Sequence, residues 1–568
     1  KDSPPPVEQV ETEGFRLRGH LFDSGMINLI LDLIECSPCN IKVHDFAIGG
    51  DGVTRSHFVF SLEAEDRNAI NQVVERVNAL VDMHPKAEAT LSRFDPSKIS
   101  QGTTKEVLGK SPEAITRRRA HTRTVSVLGS GFVSEPVIEY LLRDPKNRVV
   151  VASIESDQLH SLSLIHPDVE TQHLDAADES VLSALCAKSD VVISLLPAPM
   201  HPAIAQACLD GKAHLVTASY VSDAMRALDE TARGAGLTFM NEIGFDPGID
   251  HMSAMTIISD VKAQGGKIEK FSSFACGLPA PEAADNPLGY KFSWSPRGVL
   301  RAASNPSKFL LDGEIRNIDG ASLLSTKFPV TINPAFTLDA LYNRDATGYI
   351  SQYGLEEAHT FFRATCRYQG FIDTMYGLTM LGYLSEESPA VLQSDCTWRD
   401  VTMAAAGLSS SADVESAVAD KLRADGANDT VVNATVECLR WLGCFSTSPV
   451  AERRGTIVDT LCALLEDKLA YAPGERDMCL LHHVFDVVRK DGTKETITST
   501  LIEYGTPQGT AMARTVGYPT AIVAQLILDG GISTRGVLTS MDKEVYEPTL
   551  KLLENEGIVC TEKTSPRA

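Results

Sequence analysis

Over residues 125–134 the chain reads Val-Ser-Val-Leu-Gly-Ser-Gly-Phe-Val-Ser and runs into a helical stretch from Pro136, and no other feature limits the fold as strongly. An apolar strand that meets two glycines and then a helix makes a turn too sharp for side chains. It leaves backbone N–H groups bare at the positive end of the helix, where a pyrophosphate binds. The third fingerprint position is Ser134, not glycine. The turn also opens an alternation, with strands expected at 124–128, 148–154, 190–196, 214–220 and 237–241 and helical stretches between them. That rhythm predicts an α/β chain with a Rossmann-type doubly wound parallel sheet. Cofactor contacts are expected at Gly129, Ser130, Gly131, Phe132 and Val133. Leu196, Pro197, Ala218 and Ser219 join them, because the carboxyl ends of such strands face the ligand crevice.

The second strand ends in Ala152-Ser-Ile-Glu-Ser-Asp. This sets Glu155 near the ~20-residue separation at which an acidic side chain accepts from the adenosine ribose hydroxyls. The same carboxylate repels a 2′-phosphate, for which an arginine is normally supplied. No Lys or Arg occurs from 154 to 160, so NAD is expected over NADP, with Asp157 the alternative to Glu155 in this role.

At 568 residues the chain is far longer than one such sheet. Residues 1–95 alternate as strand (15–21), helix (26–34), strands (41–48 and 57–62), helix (69–81) and a closing strand (89–91). That order predicts a ferredoxin-like or ACT-like module. Residues 96–121 are polar and read as a linker, with Arg117-Arg118-Arg119 taken as solvated and not as a nuclear address. The nucleotide domain is expected over 122–248, a large mixed α+β substrate domain over 249–510, and helices at 511–528 and 543–556 in a closing segment, 511–568. The chain opens at Lys1 without a charged-then-apolar leader, so its targeting is unreadable and an upstream part is consistent with that start.

With 52 Lys and Arg against 75 Asp and Glu, the formal charge of −23 argues against nucleic acid and anionic lipid as partners. The apolar runs at 191–200 and 521–528 fall short of the ~20 residues that cross a bilayer. The 12 cysteines are scattered singly and read as reduced thiols, so a soluble intracellular protein is expected.

Further motifs carry a resemblance. Gly129-Ser-Gly-Phe-Val-Ser-Glu-Pro, Val192-Ile-Ser-Leu-Leu-Pro, Val216-Thr-Ala-Ser-Tyr, Asn241-Glu-Ile-Gly-Phe-Asp-Pro-Gly-Ile-Asp-His and Leu278-Pro-Ala-Pro are joined by Asn286-Pro-Leu-Gly-Tyr-Lys-Phe-Ser-Trp, Asp477-Met and Leu480-Leu-His-His. From about residue 122 onward the chain resembles the glutamate-forming saccharopine dehydrogenases. Arg18-Gly-His-Leu-Phe-Asp-Ser-Gly resembles the linking domain of the bifunctional aminoadipic semialdehyde synthases, in which a lysine-ketoglutarate reductase half precedes the dehydrogenase half.

The resemblance implies oxidation of saccharopine by NAD and water to L-glutamate and 2-aminoadipate 6-semialdehyde, in lysine breakdown. The compartment would be the mitochondrial matrix or the cytoplasm. It implies substrate contacts at Ser219, Tyr220, Asp246, Arg344, Thr365, Cys366 and Arg367. A tricarboxylate suits two arginine forks, and Asp246 suits an ammonium group. Deprotonating the secondary amine requires a base, and Asp246, Tyr220 and Lys291 are the candidates by type and location, with Asp246 alternatively a pure binding group. Cys366 stands where the family has an aliphatic residue, which matters little if a backbone group makes the contact.

Other features read as structural. Cys36-Ser-Pro-Cys39 has no second pair at zinc spacing, and no metal is expected. His482-His483 lacks the spacing of a helical zinc motif, His251 is left between a proton relay and a helix cap, and Tyr290, Phe292 and Trp294 read as core. Two alternatives stay open: a dehydrogenase of another dicarboxylic secondary amine, and a module that binds NAD without turnover. Oligomeric state is also open, a homo-oligomer included.

Overall fold

The structure is a computed structural model that describes residues 11–19, 30, 33–34, 37–47, 56–64, 66–83, 90–94 and 123–567 apart from 167, 335, 410–412 and 507–508. The expected linker with its basic run, and Cys36 of the CxxC, lie outside the described residues. The chain divides into two compact units, Lys1–Arg118 and Arg119–Ala568.

In the first unit β1 (Glu11–Gly19), β2 (Asn40–Ala47), β3 (Ser56–Ala64) and β4 (Thr90–Phe94) form an antiparallel sheet in the order β2-β3-β1-β4. This is the ferredoxin-like strand order. Phe15 and Leu17 of β1 and Phe58, Phe60 and Leu62 of β3 alternate inward with the two-residue period of a strand. Ile70, Val73, Val74 and Val77 cover them from the helix Arg67–Met83, and Ile30, Leu33 and Ile34 are helical and buried.

The second unit begins with six strands: β5 (Arg123–Leu128), β6 (Asn147–Ser153), β7 (Glu170–His173), β8 (Val191–Ser194), β9 (His214–Thr217) and β10 (Thr238–Met240). Then come β11 (Lys267–Pro279), β12 (Ser307–Leu311), β13 (Glu314–Ile318), β14 (Phe328–Asn333), β15 (Phe336–Tyr342), β16 (Thr360–Arg367), β17 (Asp477–Val488) and β18 (Lys494–Tyr504). Two late strands, β19 (Gly536–Leu538) and β20 (Thr561–Pro566), end the series. One sheet is wholly parallel in the order β19-β10-β9-β8-β5-β6-β7, the doubly wound arrangement with its switch point between β5 and β8. Val125, Val127, Val149, Val151, Val191 and Ile193 are fully buried, as strands covered on both faces require. The second sheet is mixed, in the order β13-β12-β16-β11-β17-β18-β20, with the β14–β15 hairpin joined to β16. Helices from Phe371–Met380 to Ile457–Lys468 fill the chain between β16 and β17.

Beyond residue 510 the chain does more than return as helices. The helix Ala511–Leu528 packs on the helix Ser134–Leu142, where a Cβ on Gly517 would lie 2.9 Å from the Val133 carbonyl oxygen. β19 then extends the nucleotide sheet beyond β10, while β20 pairs with β18 of the other sheet. β19 (Gly-Val-Leu) is too short to show a period and β20 (Thr-Glu-Lys-Thr-Ser-Pro) is polar throughout its first five residues, so no periodicity betrays them.

Candidate active site

Gly129 ends β5 with φ +104°, a conformation that L side chains rarely adopt. A Cβ at Gly131 would meet nothing within 4 Å, so the turn opens onto free space. The helix Ser134–Leu142 has Val133 at its N-cap and no side-chain cap, which leaves first-turn N–H groups for an anion. Ser130 donates to Gln158 at 2.8 Å, and Phe132 and Ile154 are exposed large apolar side chains of the glycine turn and of the segment after β6. Glu155 caps the next helix and is exposed. Leu196 and Pro197 follow β8, and Ala218 and Ser219 follow β9, all at carboxyl ends. This donor set fits a pyridine dinucleotide: a bare cradle for the pyrophosphate, an acid for the ribose and apolar side chains for the rings.

After β10 the chain turns through Gly244–Phe245–Asp246–Pro247–Gly248. Gly248 adopts φ +150°, and a Cβ there would sit 2.0 Å from the Gly244 carbonyl oxygen, so the turn admits no side chain. The N–H of Ile249 donates to that carbonyl at 2.9 Å and the N–H of Gly248 donates to Asp250 at 2.7 Å. Asp246 is thereby presented at the rim with its side chain 15% exposed, while Asp250 in the following helix is buried.

Tyr220 donates its hydroxyl proton to Asp246 at 2.8 Å. The Arg363 guanidinium donates to the Tyr220 oxygen at 3.1 Å, to Asp250 at 2.7 Å and to Asp246. Arg363 lies over the rings of Tyr220 and Tyr349 at 5.4 and 5.1 Å, and Arg344 lies over Tyr220 from another side at 5.3 Å. Burial pushes the Asp246 carboxyl above its ordinary range against the pull of Arg363, and Asp250 pushes it the same way. Burial also raises the Tyr220 hydroxyl well above its ordinary value. A carboxylate that takes a proton more readily than a free one suits acid–base work nearer neutral pH.

Strand periodicity sets Arg363, Thr365 and Arg367 on one face of β16. Arg367 donates to Thr365 at 3.0 Å and to the Cys366 carbonyl at 2.7 Å, and its guanidinium lies 5.3 Å from the Tyr290 ring and 5.4 Å from that of Phe371. The Cys366 side chain is fully buried. Tyr290 and Phe292 are buried core residues.

Lys291 differs from expectation. Its ammonium is paired with Glu475 at 2.5 Å and Asp285 at 3.2 Å. Burial lowers its pKa, but the two carboxylates more than offset this and hold it above the usual lysine value, so it is a poor proton acceptor. Ser219 accepts or donates at 2.9 Å with His201, which also meets Thr217 at 2.8 Å and Ser194 at 3.2 Å. Burial pushes His201 down to about 4, so the ring is neutral and serves as a brace behind Ser219.

Behind the Asp246 cluster lies a layer the sequence did not assign. Glu242, buried and at φ +60°, accepts from the Val221 N–H at 3.1 Å and the Tyr349 hydroxyl at 3.2 Å. His251 approaches Glu242 through Nε2 at 3.3 Å and bonds Tyr353 through Nδ1 at 2.5 Å. It is buried in the third position of its helix and is no cap. His483 pairs with Ser253 at 3.0 Å from within β17. Arg363, Glu242 and His251 are separated in sequence from their partners, and only the two positive-φ residues, Glu242 and Arg344, stand out as strained. Among the described residues no group of side chains is arranged to hold a metal ion, and no helix is long and apolar enough to cross a membrane.

Comparison with known families matches residues 244–558 to the saccharopine dehydrogenase C-terminal domain and 125–240 to the saccharopine dehydrogenase NADP binding domain. Residues 12–105 match the LOR/SDH bifunctional enzyme conserved region. A relative from Pyricularia oryzae, named saccharopine dehydrogenase (NADP(+), L-glutamate-forming), is 43% identical over 451 residues, covering 78% of this chain and 99% of its own. The alpha-aminoadipic semialdehyde synthase of Arabidopsis thaliana is 35% identical over 590 residues, covering 96% of this chain but 54% of its own, so the chain spans about half of that longer relative. The apo saccharopine dehydrogenase (L-Glu forming) structure from Saccharomyces cerevisiae superposes with a TM-score of 0.71 at 39% identity, covering 78% of this chain and 100% of that one. With a parallel pyridine-nucleotide sheet, a mixed-sheet domain and this identity across both, the chain belongs to the L-glutamate-forming saccharopine dehydrogenase family.

Proposed function

We propose that this chain oxidatively cleaves saccharopine to L-glutamate and 2-aminoadipate 6-semialdehyde, with NAD as the acceptor. The observation that carries the reading is the hydrogen-bonded Tyr220–Asp246 pair with the Arg363 and Arg344 guanidinium groups against it, at the carboxyl ends of a dinucleotide-binding sheet. In balance, saccharopine, NAD⁺ and water give glutamate, the semialdehyde, NADH and a proton. A bound nicotinamide supplies the hydride acceptor.

Arg344 and Arg367 take substrate carboxylates as forks, with Ser219 and Thr365 as hydroxyl partners. Asp246 takes the proton of the secondary ammonium, directly or through the Tyr220 hydroxyl, which accepts from Arg363 while donating to Asp246. The pair passes that proton to solvent. When hydride has left the carbon beside that nitrogen, water adds to the resulting C=N bond, and the pair, free again, removes a proton from it. The pair then returns this proton to the nitrogen and takes up the carbinolamine hydroxyl proton as the C–N bond breaks, leaving the aldehyde and glutamate. Lys291 has no part in this scheme, being held by Glu475 and Asp285.

The acceptor is read as NAD although the fungal relative is named for NADP(+). The support is local: Glu155 and Asp157 are exposed near the end of β6, and no cation occurs from 154 to 160. The first unit is read as the link to a lysine-ketoglutarate reductase half, in keeping with its match to a region of bifunctional enzymes.

The test is the initial rate of NADH or NADPH formation with saccharopine. Turnover with NAD that falls by about 10²–10⁴ in Asp246→Asn and strongly in Arg344→Ala supports the reading. A wild-type preference for NADP, or a cofactor ratio unchanged in Glu155→Arg, defeats the NAD assignment. Tight NADH binding with no turnover of saccharopine defeats the reaction.

A further inference from the structure

Three carboxyl groups, Asp246, Asp250 and Glu242, are gathered within one buried cluster, and Arg363 is the cation that touches two of them. One guanidinium does not balance three carboxylates in a medium that screens poorly. Arg344 lies over the Tyr220 ring, and the side chain that faces the two deeper carboxylates is His251. Its Nε2 lies 3.3 Å from Glu242, while its Nδ1 lies 2.5 Å from the Tyr353 hydroxyl and 3.9 Å from Asp250. Both ring nitrogens face oxygen. The ring is also held by aromatic neighbours, tilted on Tyr349 at 4.8 Å and edge-on to Tyr353 at 5.8 Å.

The groups facing His251 come from every element packed on it. Glu242 follows β10, Asp250 belongs to its own helix, and Tyr349 and Tyr353 come from the helix Gly348–Gln352 and its C-cap. Arg363 on β16 meets Asp250, and His483 on β17 is held neutral by burial, which pushes its pKa down to about 3. Asp246 is the member open to solvent, at 15% side-chain exposure against 1% for each of the other two. Asp246 is thus the carboxylate that a cationic nitrogen of a ligand can reach.

We propose that His251 is a positioning residue of the reaction: set between Glu242 and Asp250, it holds both in place and leaves Asp246 alone to exchange protons with the substrate. This rests on the function proposed above and deepens it. The strained backbone at Glu242 accords with the proposal, since a carboxylate held at φ +60° and buried is maintained by its surroundings for its placement. Directions of titration agree: burial raises Glu242 and Asp250, but His251 is foremost among the groups that bring both below the ordinary carboxylate range. Asp246 stays above it. His251 also pulls Asp246 downward, so removing the ring moves Asp246 up.

The experiment is the pH profile of kcat/KM for saccharopine oxidation in the wild type, His251→Gln and the double variant Glu242→Gln/His251→Gln, with NADH affinity and thermal melting measured alongside. The single variant is expected to lower kcat with little change in KM or NADH affinity, and to move the acidic limb upward by roughly one pH unit, the size of effect a lost neighbouring charge has. The double variant removes Glu242 together with the ring that faces it, so its limb returns toward that of the wild type; because it leaves no unpartnered buried carboxylate at that position, it also remains the test if the single variant does not fold. A limb that does not move in His251→Gln, or that stays displaced in the double variant, overturns the proposal and leaves His251 a packing residue. Absence of wild-type turnover overturns the parent function instead, and this inference with it.

Discussion

A single methyl group at Gly248 is the smallest change that reaches the chemistry. Since its Cβ would sit 2.0 Å from the Gly244 carbonyl oxygen, Gly248→Ala has to open the turn that presents Asp246. The expected outcome is a lower melting temperature and loss of saccharopine turnover, with NADH binding through Gly129 and Gly131 retained, as fluorescence titration will report. Asp246 and Tyr220, which the structure brings into hydrogen bond, each sit in a short motif after a strand, where the alternation alone points to a crevice. Arg363 was passed over beside Arg367, since nothing in a linear sequence says which of two arginines on one strand face meets carboxylates brought in from β10 and the following helix. Lys291 misled for the converse reason: its residue type suits a base, and its partner Glu475 is distant in sequence.

At the level of elements, the contact that fixes the cofactor cradle is made by a helix near the chain's far end. Gly517 lets the helix Ala511–Leu528 approach the helix Ser134–Leu142 until a Cβ would be 2.9 Å from Val133 O and 3.0 Å from Pro136 Cβ. Gly517→Val should cost on the order of 1–3 kcal/mol through overpacking and displace the first turn of the cofactor helix. Weakened NADH affinity together with a lowered melting temperature is the expected pair of results, and unchanged affinity would contradict the displacement. Strong apolar strands such as β5, β6 and β8 are readable because both their faces are covered. β7 (Glu-Thr-Gln-His) and the three-residue β19 carry no such pattern, because each joins an edge of the sheet and is stabilised by its neighbour's hydrogen bonds.

For the molecule as a whole, buried neutral histidines make acid the weak side of stability. Burial pushes His201 to about 4 and His483 to about 3, and lowers His482 as well, whereas an unfolded histidine titrates near ~6.5. The folded state therefore refuses protons that the unfolded chain accepts. The stability these histidines confer is complete above ~6.5 and is lost as pH falls from there toward their folded values, at about 1.4 kcal/mol per pH unit for each. Urea midpoints measured between pH 7 and 5 should fall steadily, and His201→Gln should flatten that slope by about one histidine's share. The doubly wound class and the mixed second domain were legible at this scale from alternation and its cessation after Gly248. The route of the last residues was not, since β19 and β20 depend on surfaces that exist only once the rest has folded.

That route bears on how the protein is made. The parallel sheet starts at β5, yet its edge strand β19 pairs with β10 only after some three hundred further residues, and β20 seals β18 at the very end. Emerging from a ribosome amino end first, the nucleotide sheet must wait, its β10 edge bare, while the entire second domain is synthesised. Its completion waits on β19, and a nascent chain halted before Gly536 would expose an unpaired strand edge of the kind chaperones bind.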